Sequence, residues 1–116
     1  MVYSKIKYDA LRSFYDQIER GESYVSAAEQ TLKQDAPHQS LEQIVFTITV
    51  IERILLLKVA LSPNLIEKAL AAIKSFQSIS ESDLMEQICI PVYLTDLSIL
   101  HQRVSTILQR EYGAAV

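Results

Sequence analysis

Two histidines, one cysteine and fourteen acidic residues are the groups in this chain that could do chemistry, and their spacing decides which kind. His38 falls in the loop Asp35-Ala-Pro-His-Gln and His101 on the last helical stretch. Neither stands at ligand spacing from Cys89 or from a carboxylate pair, so the inventory supports no metal centre. Cys89 excludes an intramolecular disulfide, and its setting in Ile88-Cys89-Ile90 suits a small buried residue rather than a nucleophile. Glu52 beside Arg53 reads as an ion pair on a narrow polar stripe with Glu42 and Thr49, not as a buried acid. Phosphate cradles need glycine, and Gly21 and Gly113 both fall where helices stop. The Arg-x4-His pattern of helical nucleotide-binding-type ribonucleases is missing, because Lys33 and Asp96 occupy the positions five residues before the histidines. No Ser/His/Asp or Cys/His constellation can be nominated. The expectation is a protein that is not an enzyme and takes no cofactor and no metal.

Charge distribution carries more. The net charge is -3 and the pI about 5.3, whereas phosphate binding needs basic residues gathered on one face. From Ser75 through Gln102 there is no Lys or Arg, while Glu81, Asp83, Glu86 and Asp96 are present. A second acidic group, Asp16, Glu19, Glu22 and Glu29, surrounds the first turn, with Arg20 inside it. Tyr15 and Tyr24 lie among these acids, and Tyr93 borders the other block, where it fits a core as well as a contact. Acids interleaved with tyrosines suit a cationic protein, since carboxylates steer encounter and aromatics supply burial. Acids at helix N-termini and on solvated faces produce the same pattern. On charge distribution alone, the candidate partner contacts are Glu19, Glu22, Tyr24, Glu81, Asp83 and Glu86.

These residues must be positioned by helices. The chain has 116 residues, 49% of them hydrophobic and 22% charged, with two Gly and three Pro. That fits a single helical domain over 1–116 with its own core. Tyr8, Leu11, Tyr15 and Ile18, widened by Phe14, form a stripe at steps of three and four, which predicts a helix from about Ser4 to Arg20 stopped by Gly21. Ser23 caps a second helix to about Gln34 with Val25, Ala28 and Leu32 inward. The turn at Gly21 invites a helix-turn-helix reading, but Lys33 against Glu22, Glu29 and Asp35 makes a poor groove reader.

Ser40-Leu-Glu-Gln43 is a capping box opening a central apolar helix over about 41–61. Its alternation of Ile44, Phe46, Ile48 and Val50 with Val45, Thr47 and Thr49 also suits a strand, yet no second segment alternates well enough to pair with it. Glu52-Arg53 at mid-run argues against a membrane span, and the N-terminus lacks the apolar region of a signal peptide, so a cytoplasmic location is expected. Ser62-Pro63 starts a fourth helix to about Gln77, burying Ile66, Ala69, Leu70, Ile73 and Phe76. A short fifth helix carries Leu84, Met85 and Ile88. A last one, from about Val92 to Tyr112, aligns Tyr93, Leu97, Leu100, Val104 and Leu108. The fold class is all-α, a compact bundle of five to six helices.

With the elements placed, the chain resembles the small all-α immunity proteins of bacterial contact-dependent growth inhibition and polymorphic toxin systems. The residues that carry the resemblance are Tyr8-Asp-Ala-Leu-Arg-Ser-Phe-Tyr-Asp-Gln-Ile-Glu-Arg-Gly-Glu-Ser, then Ala27-Ala28, then the helix from Ser40. It is a likeness of layout over the first two-thirds of the chain, and no family motif transfers a binding residue. It implies a protein that binds a cognate toxin domain, commonly a nuclease, and blocks its active site. The partner would be a basic protein domain, with no direct nucleic-acid or membrane contact. Two further readings stay open. One is an intracellular helical adaptor, for which an apolar face left over from the third helix would allow a homodimer. The other is a nucleic-acid-binding antitoxin-type regulator, for which salt-sensitive DNA binding would speak.

Overall fold

Serine starts most of the helices. Ser23, Ser40, Ser62 and Ser80 each accept a hydrogen bond from the backbone N–H three residues on, at 3.1, 3.2, 3.3 and 3.2 Å. At Ser40 the bond is reciprocated, because the Gln43 side chain accepts from the Ser40 N–H and completes a capping box. Pro63 follows Ser62 at the start of its helix, where its missing N–H costs no intrahelical bond. A computed structural model describes residues 3–33, 40–87 and 91–113, the side chains of residues 91 and 92 excepted. Among the described residues the elements are α1 (Tyr3–Glu19), α2 (Tyr24–Thr31), α3 (Leu41–Leu56), α4 (Pro63–Gln77), α5 (Glu81–Gln87) and α6 (Pro91–Tyr112), with no strand. The radius of gyration, 13.6 Å, agrees with the roughly 13 Å of a compact chain this long. His38, Ile88, Cys89 and the loop over 35–39 lie outside the described residues.

The β-branched run over Ile44–Val50 is helical because it is buried on nearly every side. α3 packs against α1, α2, α4 and α6, and Ile44, Val45, Thr47, Ile48, Thr49, Val50, Ile51, Ile54 and Leu55 are all buried. Burial all round erases the apolar periodicity that separates helix from strand. Thr49 survives inside because its hydroxyl donates to the Val45 carbonyl at 2.7 Å. α3 stops at Leu56, five residues short of the expected Leu61. Lys58 takes a left-handed conformation at φ 61, and the Lys58 and Val59 N–H groups bond back to Leu55 and Ile54. This Schellman closure uses lysine where glycine is usual, so no glycine marks the stop. Leu61 is buried in the connector, and its N–H donates to the Tyr112 hydroxyl at 2.8 Å, tying the connector to the end of α6.

α1 is rotated from the expected face. Tyr3, Ala10 and Phe14 are buried, while Tyr8 and Tyr15 are 61% and 39% exposed and Leu11 and Ile18 only half-buried. Two stripes at helical spacing compete on this helix. Ala10 and Phe14 bury without a polar group to satisfy, and Tyr3 is buried on the same stripe with its ring stacked on Tyr93. α4 buries Leu65, Ala69, Ala72 and Ile73, leaving Ile66, Leu70 and Phe76 at the core's edge. On α6, Leu97, Leu100, Val104 and Leu108 are buried as expected, with Tyr93 half-buried against them. α5 has no buried residue and packs on α6; its Leu84 is half-buried and Met85 exposed. No helix among the described residues is long and apolar enough to cross a membrane.

Candidate partner-binding surface

The turn between α1 and α2 is closed from both sides. Gly21, at φ 94, supplies the left-handed residue after α1, with the Gly21 and Glu22 N–H groups returning to Ile18 and Gln17. Two residues later Ser23 caps α2, and the Glu22 carboxylate accepts a hydrogen bond from the Ser26 hydroxyl. The corner therefore has little backbone freedom.

An aromatic cluster sits on it. Phe14 is fully buried, and the rings of Tyr15 and Tyr24 contact it at centroid distances of 5.1 Å edge-on and 6.4 Å stacked. Tyr24 is 42% exposed, so both tyrosines are anchored at the ring and open to solvent. Glu19 and Glu22 are exposed beside them. Of the six candidate contacts, the structure thus gathers Glu19, Glu22 and Tyr24 at one corner. Tyr15 joins them through Phe14, and Tyr8 continues the same outward stripe.

Glu81, Asp83 and Glu86 are exposed on α5, away from that corner. α5 leads into α6, whose Tyr93 and Asp96 meet Tyr3 and Lys7 in the first turns of α1. Glu19 lies about 24 Å further along α1, at 1.5 Å per residue. The two acidic blocks belong to different ends of the bundle. Asp96 leaves the second block altogether, since it is paired with Lys7 at 3.2 Å.

Sequence reasoning missed the α1–α3–α6 seam. Tyr3 stacks on Tyr93 at 5.3 Å, and Lys7 lies 5.4 Å from the Tyr3 ring centre. Glu52 does not pair with Arg53. It accepts from Arg103 across helices at 2.6 Å, and Thr49, assigned to the same polar stripe, is buried. The Tyr3 hydroxyl is buried beside Asp96 but outside hydrogen-bond geometry, so it has no formed partner while still sensing that charge. Burial, then Asp96 and Glu52, push its pKa far above the usual tyrosine value. Burial raises the Asp96 carboxyl as well, but the nearby Tyr3 hydroxyl, Lys7 and Arg103 outweigh it and hold the group below its ordinary range. Tyr3, Ser4, Lys7, Tyr93 and Asp96 line a groove of about 420 Å³ there. A general acid or base works best with a pKa near the operating pH, and both groups are displaced away from neutrality. The seam acts as a clasp between α1 and α6.

His101, expected at the surface or its boundary, is half-buried, with its ring 4.6 Å from Phe76. Burial lowers its pKa below the ordinary 6.5, and its Nε2 has no hydrogen-bond partner among the described residues. Among the described residues no three His, Cys, Asp or Glu side chains converge to hold a metal ion. No protein-family model matches the chain, and neither a curated protein nor a solved structure matches it.

Proposed function

We propose that this chain is an immunity protein that binds a cognate toxin domain in the bacterial cytoplasm and neutralises it by covering a basic active-site cleft. The observation that carries the reading is the α1–α2 corner, where solvent-open tyrosines stand with carboxylates that form no ion pair among the described residues. Asp16 and Glu19 are exposed and take part in no hydrogen bond or ion pair among the described residues. Occlusion needs no catalytic group from the inhibitor. It needs a rigid surface of complementary charge with aromatic anchors. The layout likeness to small all-α immunity proteins agrees with it. A neutraliser must outcompete substrate at low copy number, which calls for nanomolar affinity, about -12 kcal/mol.

The test is purification of a tagged copy from its own cells through a salt wash, with mass spectrometry of what remains bound. A stoichiometric C-terminal fragment of a large surface-delivered protein, toxic when expressed alone and harmless with this chain, is the expected result. Recovery of the chain alone from cells shown to express such a toxin would overturn the reading. A helical adaptor is the second reading, favoured by the exposure of Leu56, Met85 and Ile99 on three different helices. It predicts instead a stable homodimer or a non-toxic intracellular partner.

A further inference from the structure

The outward stripe of α1 has the composition of an interface, and its tyrosines stay exposed among the described residues. Tyr8 and Tyr15 stand exposed at helical spacing with the half-buried Leu11 between them, and Tyr24 extends the stripe across the corner. Tyr8 to Tyr15 spans about 10 Å, and the whole of α1 about 25 Å, close to the width of a standard protein interface. Because Phe14 seats both Tyr15 and Tyr24, their rings are ordered before any partner arrives, which lowers the entropy cost of burying them. Glu22 is held as well, by Ser26.

Charge identifies the occupant. Asp16, Glu19 and Glu22 rim the stripe, and the cation within it is Arg12; Arg20 falls about 140° round the helix from Tyr15. A second copy meeting this face across a two-fold axis would oppose these carboxylates to themselves. Nucleic acid would oppose them with phosphates. α5 offers acids without an aromatic, and its Glu86 is already engaged. Guanidinium groups match what is present: they stack on tyrosine faces and take carboxylates in forked hydrogen bonds, which an ammonium does less well. We infer that the α1–α2 face, centred on Tyr15, Tyr24, Glu19 and Glu22, is the docking surface, and that it receives an arginine-bearing face of a basic protein domain. This inference rests on the neutralisation reading and specifies where and by what chemistry the partner binds.

The test uses the full chain, labelled with nitrogen-15, titrated with a twelve-residue amidated peptide of alternating Arg and Ser, and with its Lys–Ser counterpart. Amide shifts should concentrate in residues 8–26, and the arginine peptide should bind about three-fold tighter than the lysine one, the size of an exposed cation–π preference. Glu19→Lys with Glu22→Lys should weaken binding at least about ten-fold, and Tyr15→Ala with Tyr24→Ala should abolish the preference for arginine. All four side chains are solvent-exposed, and an unchanged far-UV spectrum verifies the fold of each variant. Shifts confined to residues 81–87, no shifts, equal affinity for both peptides, or concentration-dependent shifts of the same face without peptide would each overturn the inference. Its failure separates from that of the neutralisation reading. Peptide binding at the corner with no copurifying toxin leaves the surface standing. A copurifying toxin indifferent to the Glu19 and Glu22 reversals removes the surface and keeps the neutralisation.

Discussion

Lys58 sits in a conformation that its side chain opposes, and that makes the end of α3 the most exact place to perturb this fold. At φ 61 it forms the left-handed residue of a Schellman closure, with Lys58 N–H to Leu55 at 3.1 Å and Val59 N–H to Ile54 at 3.3 Å. Gly21 does the same after α1 at φ 94. A side chain in this region costs about 1–2 kcal/mol, and the entropy glycine loses on folding returns about 0.4–1 kcal/mol of it. Lys58→Gly should therefore stabilise the protein by about 0.5–1 kcal/mol. The lysine is exposed and makes no ion pair among the described residues, so little else is lost. Gly21→Ala should destabilise by about 1 kcal/mol through the backbone alone, since an added Cβ would meet nothing within 4 Å. Urea unfolding followed by circular dichroism reads both. With a slope of about 1–3 kcal/mol per molar, the midpoint should rise roughly 0.2–1 M for Lys58→Gly and fall comparably for Gly21→Ala, with unchanged slope. Lys58→Ala keeps the Cβ and should stay near the wild type. If Lys58→Ala gains as much as Lys58→Gly, or the two glycine changes shift the midpoint in the same direction, the backbone account is wrong.

Tyr112→Phe removes the hydroxyl that accepts from the buried Leu61 N–H and should lower stability by about 1–3 kcal/mol, seen as a lower urea midpoint with native helicity kept. Glu52 and Arg103 should couple by about 1 kcal/mol in a double-mutant cycle of Glu52→Gln and Arg103→Gln, because the carboxylate is mostly shielded while the guanidinium is half open. An additive cycle would show that the 2.6 Å contact contributes nothing. His101, whose folded pKa is depressed by burial, binds its proton more readily unfolded. Its contribution is fully present above pH 6.5 and is lost as pH falls below that value toward the folded pKa. His101→Phe should flatten the dependence of the urea midpoint on pH below 6.5, and an identical slope in both proteins would dismiss the assignment.

Helix existence was legible from caps and stops, because those signals are local. Ser23, Ser40 and Ser62 each stand at their predicted positions, and Gly21 closes α1. What failed was local chemistry with a silent residue. The end of α3 was misplaced because lysine fills the left-handed position that glycine normally advertises. The Glu52–Arg53 pairing failed for another reason: the partner, Arg103, is fifty-one residues away, and only the packing of α6 on α3 brings it near. Tyr3 was invisible as a seam residue on the same grounds, since Tyr93 and Asp96 reach it from the far end of the chain.

The rotation of α1 links fold to function. A helix with a single apolar stripe has one answer to which face is buried. α1 carries two, one with Tyr3, Ala10 and Phe14 and one with Tyr8, Leu11 and Tyr15, and the core takes the first, the Tyr3 hydroxyl included. The other stripe keeps the spacing and ring area of a core face while Tyr8 and Tyr15 stand exposed, with Arg12 within it and Asp16, Glu19 and Glu22 at its rim. Periodicity measures only that a face is suited to burial, not whether the burying surface belongs to this chain. On the neutralisation reading proposed above, the stripe left exposed among the described residues would meet a surface on another molecule that is aromatic-binding and cationic.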